Sequence, residues 1–129
     1  MRDLEELLEL AMAAQQSGNY SDAAALCEKI LSADPNHNDA LHFFGLLKHE
    51  LGQSKQGLTL IERAISLVPQ SPHCLGNRAA ILGQIGHLEE AKKAYRDAIT
   101  ASPENVDLYL DLAKVLEEIN DTANAIETL

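Results

Sequence analysis

The sequence predicts an all-α fold in which antiparallel pairs of helices follow one another along the chain. Proline recurs at intervals of 34 residues, and glycine recurs at the same interval in a second series. Between these positions, apolar residues recur every three or four residues, which is typical of helices with one buried face. The two series are Pro35, Pro69 and Pro103, then Gly18, Gly52 and Gly86. A fixed period of this length indicates a tandem repeat in which each unit is a helical hairpin.

The two series divide each repeat into a helix A and a helix B. Each glycine is placed to end helix A in a left-handed turn, and each proline lies just beyond helix B, which it cannot continue. Asn38 and Asn105 stand where helix N-caps belong, and Asn120 takes the fourth place in the glycine series, so a turn is expected there too. The expected A helices are 4–17, 38–51, 72–85 and 106–119, and the expected B helices are 21–33, 55–67, 89–101 and 122 to the end.

Further series predict how the two helices of a pair pack. Close approach of antiparallel helices requires a small side chain on one helix opposite a larger one on the other. The small positions are Ala11, Gly45, Ala79 and Ala113 on helix A and Ala23, Gly57, Ala91 and Ala125 on helix B, with Ile30, Ala64 and Ala98 as a partial third series. The larger positions are Leu7, Leu41, Leu75 and Tyr109 on helix A and Cys27, Ile61, Tyr95 and Leu129 on helix B.

These positions resemble the tetratricopeptide repeat, whose 34-residue pattern combines a large residue, Leu-Gly or Leu-Ala, then Ala, an aromatic residue, Ala and Pro. The third repeat carries it at Leu75, Ala79, Gly86, Ala91, Tyr95, Ala98 and Pro103. Arg78 stands where the pattern has Leu, while Cys27 and Gly57 replace an aromatic residue and Ala. The resemblance covers about 3.7 repeats in one array, at about 4–37, 38–71, 72–105 and 106–129. It implies a right-handed superhelical solenoid of antiparallel helix pairs, similar to the N-terminal repeat regions of bacterial multidomain proteins.

Composition limits the classes of partner and compartment. The 129 residues carry a formal charge of −10, so the average field repels phosphate backbones and anionic lipid. This predicts no nucleic-acid partner and no membrane partner. The start of the chain lacks the basic and apolar regions of a signal peptide, and the two cysteines have no paired spacing. A cytoplasmic, reducing location is therefore expected.

No catalytic or cofactor-binding motif is found in the sequence. It lacks the GxxxxGK phosphate loop, the HExxH metalloprotease motif and the GxSxG nucleophile elbow. The chain is therefore predicted not to be an enzyme and to need no cofactor. His42 and His49 share one face of a helix A, and His73 begins the next helix A. Histidines on a helix face are usually solvated surface residues, and this is the expected case here. The alternative is that these three histidines bind a metal ion.

The resemblance implies that the A helices line a concave groove through six positions of each repeat. At those positions eight acids stand against one lysine. Such a groove favours a basic or mixed polar partner over an acidic one. Gly76, Ala80 and Gly83 would leave the third helix A with a nearly bare inner face. The candidate contact residues are Met12, His42, Phe43, Leu46, His49, His73, Asn77, Ala80, Gln84, Asp111 and Lys114.

The predicted function is a scaffold that binds a peptide or a partner protein in this groove. The alternative is an N-terminal targeting or assembly domain of a larger enzyme of the glycosyltransferase, sulfotransferase or methyltransferase type, cut short at Leu129. A third hypothesis is a purely structural array that forms oligomers. An array without a polar end cap exposes apolar surface, for which Ile119, Ile126 and Leu129 are the candidates, so self-association is also expected.

Overall fold

The computed structural model describes residues 2–127, and the side chains of residues 2–123. Within residues 2–127 it contains seven α-helices and no β-strand, which confirms the all-α prediction. None of these helices combines the length and the apolar character that crossing a membrane requires. The helices are α1 (Leu4–Gln16), α2 (Tyr20–Ala33), α3 (Asn38–Glu50), α4 (Ser54–Leu67), α5 (Pro72–Gln84), α6 (Leu88–Ala101) and α7 (Val106–Glu127).

Glycine follows the first helix of each of the three pairs. The angle φ is +81° at Gly18, +81° at Gly52 and +84° at Gly86, a left-handed conformation that glycine adopts without the steric penalty of a Cβ. After each glycine a backbone N–H bonds to the carbonyl five residues earlier, as Asn19 N donates to Ala14 O at 2.8 Å. Such bonds satisfy carbonyl groups left unpaired at a helix end. The turns predicted at the three glycines are therefore confirmed.

The N-caps follow the prediction at one helix and depart from it at another. The Asn105 side-chain oxygen accepts a hydrogen bond from the backbone at the start of α7, as predicted. At α3 the cap is His37, whose Nδ1 accepts a hydrogen bond from Ala40 N at 3.1 Å. Asn38 lies within α3, where its Nδ2 donates to Ala64 O at 2.8 Å. The predicted cap at Asn38 is therefore wrong, because this amide links α3 to α4 instead.

The turn predicted at Asn120 is not formed, and the helix predicted to begin at 122 is not separate. The helix α7 continues unbroken from Val106 to Glu127, and no non-glycine residue among those described has a positive φ. Asparagine adopts the left-handed conformation less readily than glycine, whereas a continued helix pairs its backbone groups within the segment. Thr122 Oγ1 also donates to Glu118 O at 2.9 Å, a contact between successive turns of one helix.

The chain divides after Pro69 into two compact units. In the first unit α1 packs on α2, α3 packs on α4, and α2 also contacts α3. The positions predicted to pack in the first two repeats are all buried. The apolar core of this unit is Leu7, Leu8, Ala11, Ala23, Cys27, Ile30, Ala40, Leu41, Phe44, Leu47, Ile61 and Ala64.

In the second unit α5 packs on α6, and α7 contacts both of them. The packing positions of the third repeat are buried as predicted, whereas Tyr109 and Ala113 of the fourth are exposed. The reason is that α7 continues straight, so no separate helix B covers these two residues within the described chain. Their predicted partners Ala125 and Leu129 lie outside the described side chains. The buried apolar residues of this unit are Cys74, Leu75, Ala79, Ile81, Leu82, Ala91, Ala94, Tyr95, Ala98, Leu108 and Val115.

Candidate functional site

Eight of the eleven predicted contact residues line two cavities, one in each compact unit. The α1–α3 cavity of the first unit has a volume of about 390 Å³, and its lining residues are Glu5, Leu8, Glu9, Met12, Asp39, His42, Phe43 and Leu46. The α5–α7 cavity of the second unit has a volume of about 330 Å³, and its lining residues are Ala80, Gly83, Gln84, Tyr95, Asp111, Lys114, Val115 and Glu118.

The α1–α3 cavity has an apolar floor formed by two helices. Leu8 and Met12 are one helical turn apart on α1, and Phe43 and Leu46 occupy the facing side of α3. Leu8 is buried, whereas Met12 is 41% exposed and offers accessible apolar surface. Four of the predicted contact residues are therefore brought together here: Met12, His42, Phe43 and Leu46.

Acidic side chains accompany this apolar floor on both helices. Glu5 and Glu9 come from α1 and Asp39 comes from α3, and no lysine or arginine is among the eight lining residues. His37 Nε2 lies 3.2 Å from Glu5 Oε1, while His37 Nδ1 accepts from the backbone of α3. The tautomer with hydrogen on Nε2 satisfies both contacts, so the cap of α3 also holds Glu5 beside the cavity.

The three histidines considered as metal ligands have separate surroundings. His42 lines the α1–α3 cavity, whereas His49 does not; the His49 Nδ1 lies 2.7 Å from Ser54 Oγ at the turn between α3 and α4. His73 is exposed in the second unit and lines neither cavity. Within residues 2–127, no group of three or more histidine, cysteine or acidic side chains is arranged to hold a metal ion.

The α5–α7 cavity brings together four other predicted residues: Ala80, Gln84, Asp111 and Lys114. Asn77 is half-buried and does not line it. The bare face predicted at Gly76 and Gly83 is only partly open, because each glycine is half-buried beside α7. A Cβ on Gly76 would lie 3.5 Å from Leu108 Cδ2, and one on Gly83 would lie 3.7 Å from Val115 Cγ2.

Tyr95 belongs to the α5–α7 cavity although the sequence indicated only a packing role for it. Its side chain is 5% exposed. Burial, and to a lesser extent the charge of Asp111, raises the pKa of Tyr95 to about 12, so the phenol is neutral at physiological pH. The repeat pattern identifies the aromatic position, but it does not distinguish a ring that only packs from one that also lines a cavity.

Comparisons with protein families show related repeats over most of the chain. A family model described as "Anaphase-promoting complex, cyclosome, subunit 3" matches residues 16–98. A model described as "Tetratricopeptide repeat" matches residues 84–129. Together the two models account for the chain from residue 16 to its last residue.

Individual relatives and solved structures show the same similarity. A repeat-containing thioredoxin of Arabidopsis thaliana, TTL4, is 31% identical over 94 residues, which are 73% of this chain and 14% of that protein. An O-GlcNAc transferase structure from Thermobaculum terrenum has a TM-score of 0.79 and 28% identity, over 88% of this chain and 22% of that one. The first repeat domain of Spaghetti (RPAP3), bound to an HSP90 peptide, has a TM-score of 0.84 and 21% identity, over 91% of this chain and 93% of that one. The chain spans about a fifth or less of the curated relatives it matches.

Proposed function

Because this chain belongs to the tetratricopeptide repeat family, we propose that it is a non-catalytic interaction module that binds a basic or mixed polar segment of a partner protein. The α1–α3 cavity carries this proposal. An apolar floor can take the hydrocarbon parts of a partner's side chains, and the three carboxylates beside it can take their positive ends.

Charge complementarity supports a basic partner over an acidic one. An acidic segment would bring like charges toward Glu5, Glu9 and Asp39, whereas a basic one would meet three carboxylates without a competing lysine or arginine in the lining. The formal charge of −10 acts in the same direction at longer range. Peptide capture by a similarly folded domain, the one bound to an HSP90 peptide, supports a peptide as the ligand class. The two free, buried cysteines suit the reducing cytoplasm that we propose as its location.

A comparison of peptides that differ in charge tests the proposal. Fluorescence anisotropy would compare labelled basic, neutral and acidic peptides of equal length, at low salt and at high salt. We expect the basic peptide to bind about tenfold more tightly than the acidic one, and the difference to shrink as salt screens the carboxylates.

Glu9→Lys should weaken binding of the basic peptide, because Glu9 lines the cavity. Glu6→Lys is the control, since Glu6 is also exposed on α1 and changes the net charge equally but lies outside the lining. Equal affinity for the acidic and basic peptides, or equal effects of the two variants, would contradict binding in this cavity.

A second candidate function is that the chain is the repeat region of a larger enzyme. The chain corresponds to only 14% of a thioredoxin and 22% of a glycosyl-transferring enzyme that it resembles. The repeats would then bring a partner or substrate protein to a catalytic domain elsewhere in the polypeptide. Sequencing the gene beyond codon 129 tests this directly: an open frame into a catalytic domain supports it, and a stop codon there contradicts it.

Self-association is a further part of the proposal. Apolar side chains on α7 are exposed, among them Val106 at 66% and Leu110 at 57%, although Ile119 is half-buried and the side chains of Ile126 and Leu129 lie outside the described residues. Sedimentation velocity over a hundredfold range of concentration tests it. A rising mass that Val106→Lys reverses is the expected result, and a constant monomeric mass contradicts it.

A further inference from the structure

Among residues 2–127 no hydrogen bond is found for the Tyr95 hydroxyl, although the residue is only 5% exposed. In the same part of the chain, every fully buried polar side-chain atom has a partner. The hydroxyl therefore belongs to the small exposed part of Tyr95. Tyr95 lines the α5–α7 cavity, from which we infer that its hydroxyl faces that cavity and is available to a ligand.

The walls of the cavity leave room for an extended side chain above this hydroxyl. Ala80 and Gly83 on α5 present almost no side-chain volume, and Val115 on α7 adds an apolar wall. The volume of about 330 Å³ leaves room for one inserted side chain. A hydrocarbon stem could lie against these walls while its polar end reaches Tyr95.

The charges around the cavity select the sign of that polar end. Asp111 and Glu118 are two turns apart on α7 and both line the cavity, against Lys114 alone. A carboxylate could bind Tyr95 and Lys114, but only close to two other carboxylates. An ammonium group has three donors, so it can donate to the Tyr95 hydroxyl oxygen and to a nearby carboxylate, while the second carboxylate, about 10 Å further along α7, adds attraction at longer range. Lys114 is exposed, and its long stem lets its own charge move into solvent.

We propose that the α5–α7 cavity is an anchor pocket for one lysine side chain of a partner protein, with the Tyr95 hydroxyl at its base. The inference rests on the proposed function and narrows it, because it assigns a particular side chain to one cavity. Lysine is preferred to arginine because a compact ammonium can donate in several directions, whereas a planar guanidinium needs a carboxylate aligned with its fork.

Titration of the full ¹⁵N-labelled chain with the tripeptide acetyl-Ala-Lys-Ala-amide tests the pocket. We expect saturable shifts at the amides of Gly83 and Asp111, and at least about tenfold weaker binding when norleucine replaces lysine, because norleucine keeps the stem and lacks the ammonium. Equal binding of the norleucine peptide, tighter binding of the arginine peptide, or no shift with the lysine peptide would each overturn the proposal.

The substitution Tyr95→Phe removes only the hydroxyl. Because that hydroxyl bonds to no described residue, the urea midpoint of unfolding should not change, while affinity for the lysine tripeptide should fall about tenfold. Tyr109→Phe is the matched control: the Tyr109 hydroxyl donates to Pro103 O at 2.8 Å outside the cavity, so its loss should leave affinity unchanged. Unchanged affinity in Tyr95→Phe would overturn the proposal.

The outcome can be separated from that of the proposed function. The peptide and charge-reversal comparison of Glu9 and Glu6 concerns the α1–α3 cavity, in a different compact unit. If that comparison succeeds and the lysine tripeptide fails, the chain binds basic segments without this anchor. If the tripeptide binds and the longer basic peptides show no preference, the anchor stands and the proposed function fails.

Discussion

Gly45 and Gly57 face each other where α3 crosses α4, and a Cβ built on Gly57 would lie 2.5 Å from the carbonyl oxygen of Gly45. A Cβ on Gly45 would in turn lie 2.5 Å from Ile61 Cγ1. The backbones of the two helices are therefore in direct contact at this point. The sequence pattern places Ala at position 57, and the structure shows why the smaller residue is needed opposite another glycine.

Gly57→Ala should destabilise the chain, because the added methyl group meets backbone rather than a side chain that could rotate away. We expect a loss of about 1–3 kcal/mol, net of the gain from alanine's higher helix propensity. Urea denaturation followed by circular dichroism measures it. Gly76→Ala is the control, since its Cβ would make an ordinary contact at 3.5 Å. That variant should be unchanged or more stable by up to about 1 kcal/mol, and equal losses in both variants would contradict the close crossing.

Much of the fold follows from the sequence because the repeat specifies the helix ends, the turns and the helix-packing positions together. The period of 34 residues, the glycines with positive φ, and the small residues between paired helices all agree, so six of the helices lie close to their predicted ranges. Asn120 shows where this reasoning fails. At asparagine, a left-handed turn and a continued helix differ in free energy by only about 1 kcal/mol. The repeat pattern gives no information about a difference of this size.

The candidate site was less predictable than the fold. Positions on one helix face can be read from spacing, which identified Met12 and Phe43 on one cavity and Asp111 on the other. Spacing does not show that His49 bonds to Ser54 across a turn, or that Tyr95 lines a cavity. These properties depend on the packing of neighbouring helices.

Asn38→Ala should destabilise the first unit. The Asn38 amide donates to Ala64 O at 2.8 Å in a half-buried position and links the start of α3 to the end of α4. Removing it should reduce the free energy of unfolding by about 1 kcal/mol. Asn19→Ala is the matched control, because Asn19 is exposed and its side chain makes no cap hydrogen bond. If chemical denaturation gives the same midpoint for both variants, the link contributes nothing to stability.

Substitutions at Asn120 should change the stability of the end of α7. Glycine at this helical position raises the cost of the helical conformation, and alanine lowers it, each by about 0.5 kcal/mol relative to asparagine. Amide hydrogen exchange at residues 121–124 should therefore be about twofold faster in Asn120→Gly and about twofold slower in Asn120→Ala. Unprotected amides at these positions in the unsubstituted chain would show that the helix ends earlier.

The stability of the chain should fall at alkaline pH because of Cys27. Burial, with a smaller contribution from Glu28, raises the pKa of the Cys27 thiol from 9.0 to about 12. Below pH 9 the thiol is protonated in both the folded and the unfolded chain, so it adds no pH dependence. Between pH 9 and 12 the unfolded chain releases the proton and the folded chain retains it, so rising pH favours unfolding.

For this one group the free energy of unfolding should decrease by at most about 1.4 kcal/mol per pH unit. Cys27→Ala tests the cause, since it removes the thiol but leaves Tyr95, whose pKa is raised in the same direction, in both proteins. The variant should be less stable at every pH because it leaves a cavity. The diagnostic result is therefore the slope: urea midpoints measured from pH 8 to 10.5 should fall more steeply in the unsubstituted chain, and parallel curves would show that Cys27 is not responsible.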